Sequence, residues 1–167
     1  MSGVTWTPQE YQKYIEDTKV QEEPQPLQVG DYRTITAPNK YNATRVEYNC
    51  PLRGLLKFDS TLEFYRYMEL YQLENAEIIS DLQLQQEFPV ASKIKRDGQK
   101  AMRERVYRAD FTYEQDGVQV IEDTKGMATD LFKLKLQIVL HRYPDCEFRV
   151  TYRKGMKIYP PKEVSSE

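Results

Sequence analysis

The sequence predicts an α/β domain in which a mixed central sheet is flanked by helices, preceded by an N-terminal helical arm. Three observations carry this reading. Short runs alternate apolar and polar residues, most plainly "CEFRVTYRKG", where Phe148, Val150 and Tyr152 oppose Arg149, Thr151 and Arg153. Two longer stretches, "STLEFYRYMELYQLENAEI" and "TDLFKLKLQIVLHRYP", space their apolar residues as helices do. The two kinds of element intermix along the chain, which calls for a sheet with helices packed on it. The 167 residues include 13 tyrosines, so a real core can be buried despite the high charge.

Residues 1–39 read as an acidic arm and linker, and residues 40–167 as one domain. In "TPQEYQKYIED", Thr7 is placed to cap a helix, Pro8 to start it and Glu10 to close a capping box, giving a helix over Pro8–Val20. "QEEPQPLQVGDYRTITAPNK" holds three prolines and little periodicity, as a linker does. The arm's acids, Glu10, Glu16, Asp17, Glu22, Glu23 and Asp31, outnumber Lys13, Lys19 and Arg33.

"TRVEYNCPLRGLLKFD" reads as two strands around a turn at Pro51 to Gly54. Ser60 then caps a helix, with Glu63 at its third position. "DLQLQQEFPV" reads as one strand carrying Leu82, Leu84, Phe88 and Val90. A strongly basic stretch follows, with Lys93, Lys95, Arg96, Lys100, Arg103, Arg105 and Arg108 against Asp97 and Glu104, and a turn at Asp97-Gly98. A helix over Thr129 to Tyr143, ended by Pro144, precedes the last strand.

The net charge of −2 neither favours nor excludes nucleic acid, because a groove needs only a local basic patch. Cys50 and Cys146 stand alone, without C-x-x-C spacing, and suggest neither a disulfide framework nor a zinc site. The first thirty residues hold no apolar leader, and no apolar run nears the ~20 residues of a membrane span, so a cytoplasmic protein without a membrane partner is expected.

The segment "RADFTYEQDGVQVIEDTKG" carries the chemistry. Asp116-Gly117 between two β-rich runs marks a hairpin turn. Counting outward, Gln115 pairs with Val118, Tyr113 with Val120 and Phe111 with Glu122, so Asp110 falls opposite Asp123 and Arg108 opposite Lys125. Alternation places Asp110, Asp123 and Lys125 on one face. Two carboxylates at about 5 Å repel by roughly 3 kcal/mol at an effective dielectric of about 20. A divalent cation offsets that repulsion, and a neighbouring lysine can orient a water beside it. Two alternatives stay open. The acids can be solvated and neutralised by Arg108 and Lys125, or a one-residue slip can bring Glu122 opposite Asp110 instead. Glu63 likewise is either a capping residue or a third acid.

With "FDSTLEF" at 58–64, Leu84-Gln85, "ADF" at 109–111 and "EDTKG" at 122–126, the chain resembles the PD-(D/E)xK nuclease superfamily. More narrowly, it resembles a family of small phage-encoded nuclease-like proteins without assigned function. The likeness spans about residues 40–155 and leaves the arm unexplained. It implies a restriction-endonuclease-like core and a Mg2+- or Mn2+-dependent endonuclease acting on DNA in phage replication, recombination or packaging. Asp110 and Asp123 would be metal ligands, joined by Glu63, and Lys125 would position the attacking water. Glu122, Gln137 and Gln85 would be accessory. The superfamily's proline before the first acid is Ala109 here. The basic run, with Lys133 and Lys135 from the last helix, would meet the nucleic acid. Branched DNA, action as a homodimer and a host cytoplasmic location are further expectations of the likeness. A rival reading is a catalytically silent nucleic-acid-binding or protein-interaction module on the same scaffold.

Overall fold

A computed structural model of the protein describes residues 4–6, 32–35 and 44–162. The expected helix over Pro8–Val20 and most of the acidic arm lie outside the described residues.

Strands β8 (Phe111–Gln115) and β9 (Val118–Thr124) form the expected hairpin in the expected register, Phe111 opposite Glu122 and Gln115 opposite Val118. Its turn is held by Asp116 and Gly117, both at positive φ (53° and 76°), the two-residue turn whose twist suits a hairpin. Helix α2 (Asp130–Arg142) then carries the chain back to β10 (Glu147–Tyr152), which runs parallel to β9. Thr129 caps α2 by accepting from the Phe132 N–H at 3.2 Å. A tight reversal at Gly155 adds β11 (Gly155–Tyr159), beyond the last strand expected from sequence.

The central sheet is completed by β5 (Ser80–Leu84) beside β8 and by β1 (Val4–Trp6) beside β11. It has six strands in the order β1-β11-β10-β9-β8-β5 and is mixed, because β9 and β10 are parallel and the other pairs antiparallel. Two segments of the N-terminal 39 residues are therefore strands. Val4–Trp6 joins the central sheet, and β2 (Tyr32–Ile35) joins β3 (Arg45–Cys50) and β4 (Gly54–Phe58) in a separate three-stranded sheet.

Helix α1 (Thr61–Asn75) lies between these two sheets. Its Phe64, Tyr67, Leu70 and Tyr71 share one core with Val46, Tyr48 and Phe58 on one side and Phe111, Tyr113 and Val120 on the other. Burial on two sides explains why this helix has no clean apolar stripe: Glu63 and Arg66 are buried along with Phe64, Tyr67 and Tyr71. A second core joins Phe132, Leu136 and Val139 of α2 to Ile121, Phe148 and Val150. Val120 and Ile121 are consecutive, so the two helices cover opposite faces of the central sheet.

One expectation is corrected. "DLQLQQEFPV" is two strands, β5 and β6 (Glu87–Ala91), in different sheets. Gln85 interrupts the run at φ 55°, where its N–H turns to donate to the Asp110 carbonyl at 3.0 Å. The chain thus leaves the sheet just beside Asp110. Strand β6 pairs instead with β7 (Arg105–Arg108), so the basic stretch is the outer part of a second hairpin, with a turn at Arg96 to Gln99.

Candidate active site

Asp110, Asp123, Lys125 and Tyr107 meet at the end of the β8–β9 hairpin, and Glu63 feels the Asp110 charge from the start of α1. Asp123, on β9, is buried, and its two oxygens are both engaged: Lys125 Nζ donates to Oδ1 and the Tyr107 hydroxyl donates to Oδ2. Asp110, just before β8, lies against it. One Asp110 oxygen, Oδ2, accepts from the Thr124 N–H at 2.7 Å and the Thr124 hydroxyl at 2.8 Å, and lies 3.9 Å from Lys125 Nζ. Lys125 also donates to the Thr124 carbonyl at 3.1 Å and stands over the Phe132 ring, 5.3 Å from its centre.

Glu63 enters from the start of α1. The Ser60 hydroxyl accepts from the Glu63 N–H at 3.1 Å, and Glu63 Oε2 accepts from the Asp59 N–H at 2.9 Å. The reciprocal bond of a capping box therefore forms one residue earlier than the usual N-cap amide. Capping does not take Glu63 away from the other acids, since its carboxyl feels the charge of Asp110 as well as that of Asp59.

Electrostatics follow from this crowding. Burial, then the Asp110 charge, pushes the Glu63 carboxyl up to about 8. Burial again comes first for Asp123, followed by the charge of Asp110 and a hydrogen bond with it, and together they raise it to about 7 against the opposing pull of Lys125. Both acids are costly to ionise where they stand, and added positive charge relieves that cost. Tyr107 too is held away from ionisation, by burial first and then by the Asp123 charge, and stays a donor.

Glu122 does not join this group. It points to the α1 face, where Arg66 grips it at 2.5 and 3.0 Å and the Tyr113 and Thr151 hydroxyls donate to it at 2.7 and 2.6 Å. Although fully buried, its carboxyl is held below the usual range, because the Arg66 charge and the three donors outweigh desolvation. The hairpin register decides between the two adjacent acids: Asp123 faces the site and Glu122 the core. Gln85 reaches the site through its backbone N–H to Asp110. Gln137 is exposed on α2, and Lys133 pairs with Asp130 at 2.9 Å on the helix surface. Sequence reasoning missed Tyr107. Its one signal was the apolar pair Val106-Tyr107 set between Arg105 and Arg108 in the basic run.

A profile of the family described as Protein of unknown function (DUF1064) matches residues 38–158. The chain belongs to this family. The matched span contains Glu63, Tyr107, Asp110, Asp123 and Lys125. No curated protein and no solved structure matches the chain.

As a donor set, the site offers hard carboxylate oxygens of the kind that suit magnesium or manganese. Among the described residues no three His, Cys, Asp or Glu side chains stand ready to hold one ion. The acids that do converge are the Asp110–Asp123 pair, whose Asp110 charge Glu63 also feels. Among the described residues no helix is long and apolar enough to cross a membrane.

Proposed function

We propose that this DUF1064 protein is a divalent-metal-dependent endonuclease that hydrolyses phosphodiester bonds in DNA, on a restriction-endonuclease-like core. The supporting observation is the crowding of Asp110 against buried Asp123, with Lys125 touching both. A buried Asp123 made costlier to ionise by the neighbouring Asp110 charge suits a cation better than it suits a solvated surface. Asp110 and Asp123 would hold Mg2+ or Mn2+, and Glu63 would support a ligand or its water. When bound, the ion supplies positive charge to offset what builds up on a phosphate under attack. Lys125 leans on Asp123 and Phe132, which aims its ammonium group to orient a water toward that phosphate. Tyr107 would fix the Asp123 carboxylate by donating to its Oδ2. Thr124 does the same for Asp110 through its N–H and hydroxyl.

A second reading also has an observation in its favour. Lys125 Nζ already sits on Asp123 Oδ1 and neutralises it, as a retired site on a nucleic-acid-binding module would do. Purified protein incubated with supercoiled, linear and four-way-junction DNA, in Mg2+, Mn2+ or chelator, separates the two. Metal-dependent cleavage that vanishes in Asp110→Asn and Lys125→Ala supports the enzyme. DNA binding without cleavage in either metal supports the silent module.

A further inference from the structure

The β6–β7 hairpin projects from the fold. At its base Phe88, Val90 and Tyr107 are buried in the core beneath α2, and the Pro89 carbonyl accepts from Arg142 at 3.0 Å and Tyr143 at 3.2 Å. Beyond the base it stands clear of the other described residues: residues 92–100 and 102–106 are all exposed. The two arms of the outer part are nevertheless tied together by one isolated bridge and a closed turn. Ile94 and Met102 exchange both backbone hydrogen bonds, at 3.1 and 2.8 Å, and the turn closes through the Gln99 N–H to the Arg96 carbonyl at 3.1 Å, with Gly98 at φ 73°.

Two features of this ribbon are unexplained by folding. Ile94 and Met102 are directly paired across the strands, so their side chains share one face, and they are 46% and 61% exposed. Around them stand Lys93, Lys95, Arg96, Lys100, Arg103 and Arg105, and none of these forms an ion pair with a described residue. A dense positive charge on a chain of net charge −2 marks a polyanion contact rather than general solubility. A two-stranded ribbon fits a groove of B-form DNA, whereas the deep, narrow major groove of an RNA duplex shuts side chains out. Apolar side chains carried into a groove by flanking cations act as wedges that part stacked bases.

We propose that the β6–β7 hairpin is a DNA-binding ribbon that lays its cations along the phosphates and presses Ile94 and Met102 against a base step. The preferred substrate is then duplex DNA that bends or opens easily, including branch points. The ribbon's strand β7 runs through Tyr107, which holds Asp123, and on to Asp110. Its grip would therefore set the duplex beside the acids, a link that rests on the proposed nuclease reading.

Binding tests the ribbon without cleavage. The full chain, in chelator, is titrated into a DNA duplex carrying one 2-aminopurine, at several salt concentrations. Wild-type protein should raise the 2-aminopurine emission on binding. The triple substitution Lys93→Ala, Lys95→Ala, Arg96→Ala should reduce the slope of log affinity against log salt by about 2–3. Ile94→Ser with Met102→Ser should keep that slope and lose the emission rise, and both variants should melt with the wild type because the changed residues are exposed. An unchanged salt slope in the triple variant, binding without an emission rise, or equal affinity for an RNA duplex or anionic vesicles would overturn the proposal. Ribbon binding with no cleavage in Mg2+ would leave the ribbon standing and remove the nuclease reading. Cleavage with an inert ribbon would do the reverse.

Discussion

The Tyr107 hydroxyl donates to Asp123 Oδ2, so the hairpin that carries the basic ribbon also fixes the most buried acid of the site. Removing that donor should loosen the carboxylate without dismantling the fold. Tyr107→Phe is expected to cost about 1–3 kcal/mol of stability, through the unsatisfied buried oxygen, and to weaken Mg2+ binding by about tenfold or more. Urea unfolding and calorimetric titration with Mg2+ measure the two effects. Unchanged metal affinity would show that Tyr107 is merely a core residue.

Glu63 has both a capping and a site position, and the amide isostere separates them. In Glu63→Gln the side-chain oxygen can still accept from Asp59, but no charge remains beside Asp110. At pH 8 the metal-free variant should be at least as stable as wild type, while cleavage in Mg2+ falls. By contrast Ser60→Ala should cost about 1 kcal/mol and leave the rate unchanged. Equal activity of Glu63→Gln and wild type would reduce Glu63 to a cap.

The raised acids give the metal-free protein a pH signature. Glu63 at about 8 and Asp123 at about 7 stand above the ordinary 4.5 and 3.8. Above those ordinary values the unfolded chain has released both protons while the folded chain keeps them. Stability is therefore lost as pH rises from about 4.5 to about 8. Thermal melts in chelator should show this decline, and Asp110→Asn should flatten it. Added Mg2+ should raise the melting temperature more at pH 8 than at pH 6, because binding must displace those protons. A melting temperature that climbs across this range in chelator would contradict the charge crowding.

On the other face, Arg66 and Glu122 form a buried ion pair at 2.5 Å. Removing one partner, as in Arg66→Met, should cost about 3–5 kcal/mol, because Glu122 is left charged in the core. Arg66→Met combined with Glu122→Met should recover much of that loss, as seen in chemical denaturation. A double variant no more stable than the single one would show that the pair is stabilising in its own right.

Local chemistry made much of this legible. Asp116-Gly117 specified the hairpin turn, and counting from it gave the register through Phe111 and Glu122. That register placed Asp110 and Asp123 together and left Glu122 on the core side. Ser60 gave the start of α1. What depended on distant partners could not be read. The break at Gln85 exists because its N–H is drawn to the Asp110 carbonyl, and Tyr107 faces inward because β7 pairs with β6. Nothing in the sequence marks Arg66, in the middle of α1, as a core residue. It is buried because a second sheet, which includes Tyr32–Ile35, covers the helix's outer side and Glu122 neutralises it from the first.

The most direct measurement is manganese binding to the metal-free protein, followed by electron paramagnetic resonance, for wild type, Asp110→Asn, Asp123→Asn and Lys125→Ala. Wild type should take up the ion at pH 8, each aspartate substitution should abolish or strongly weaken uptake, and Lys125→Ala should retain it. Binding that survives the loss of both aspartates, or no binding by wild type, would contradict a metal centre built on Asp110 and Asp123.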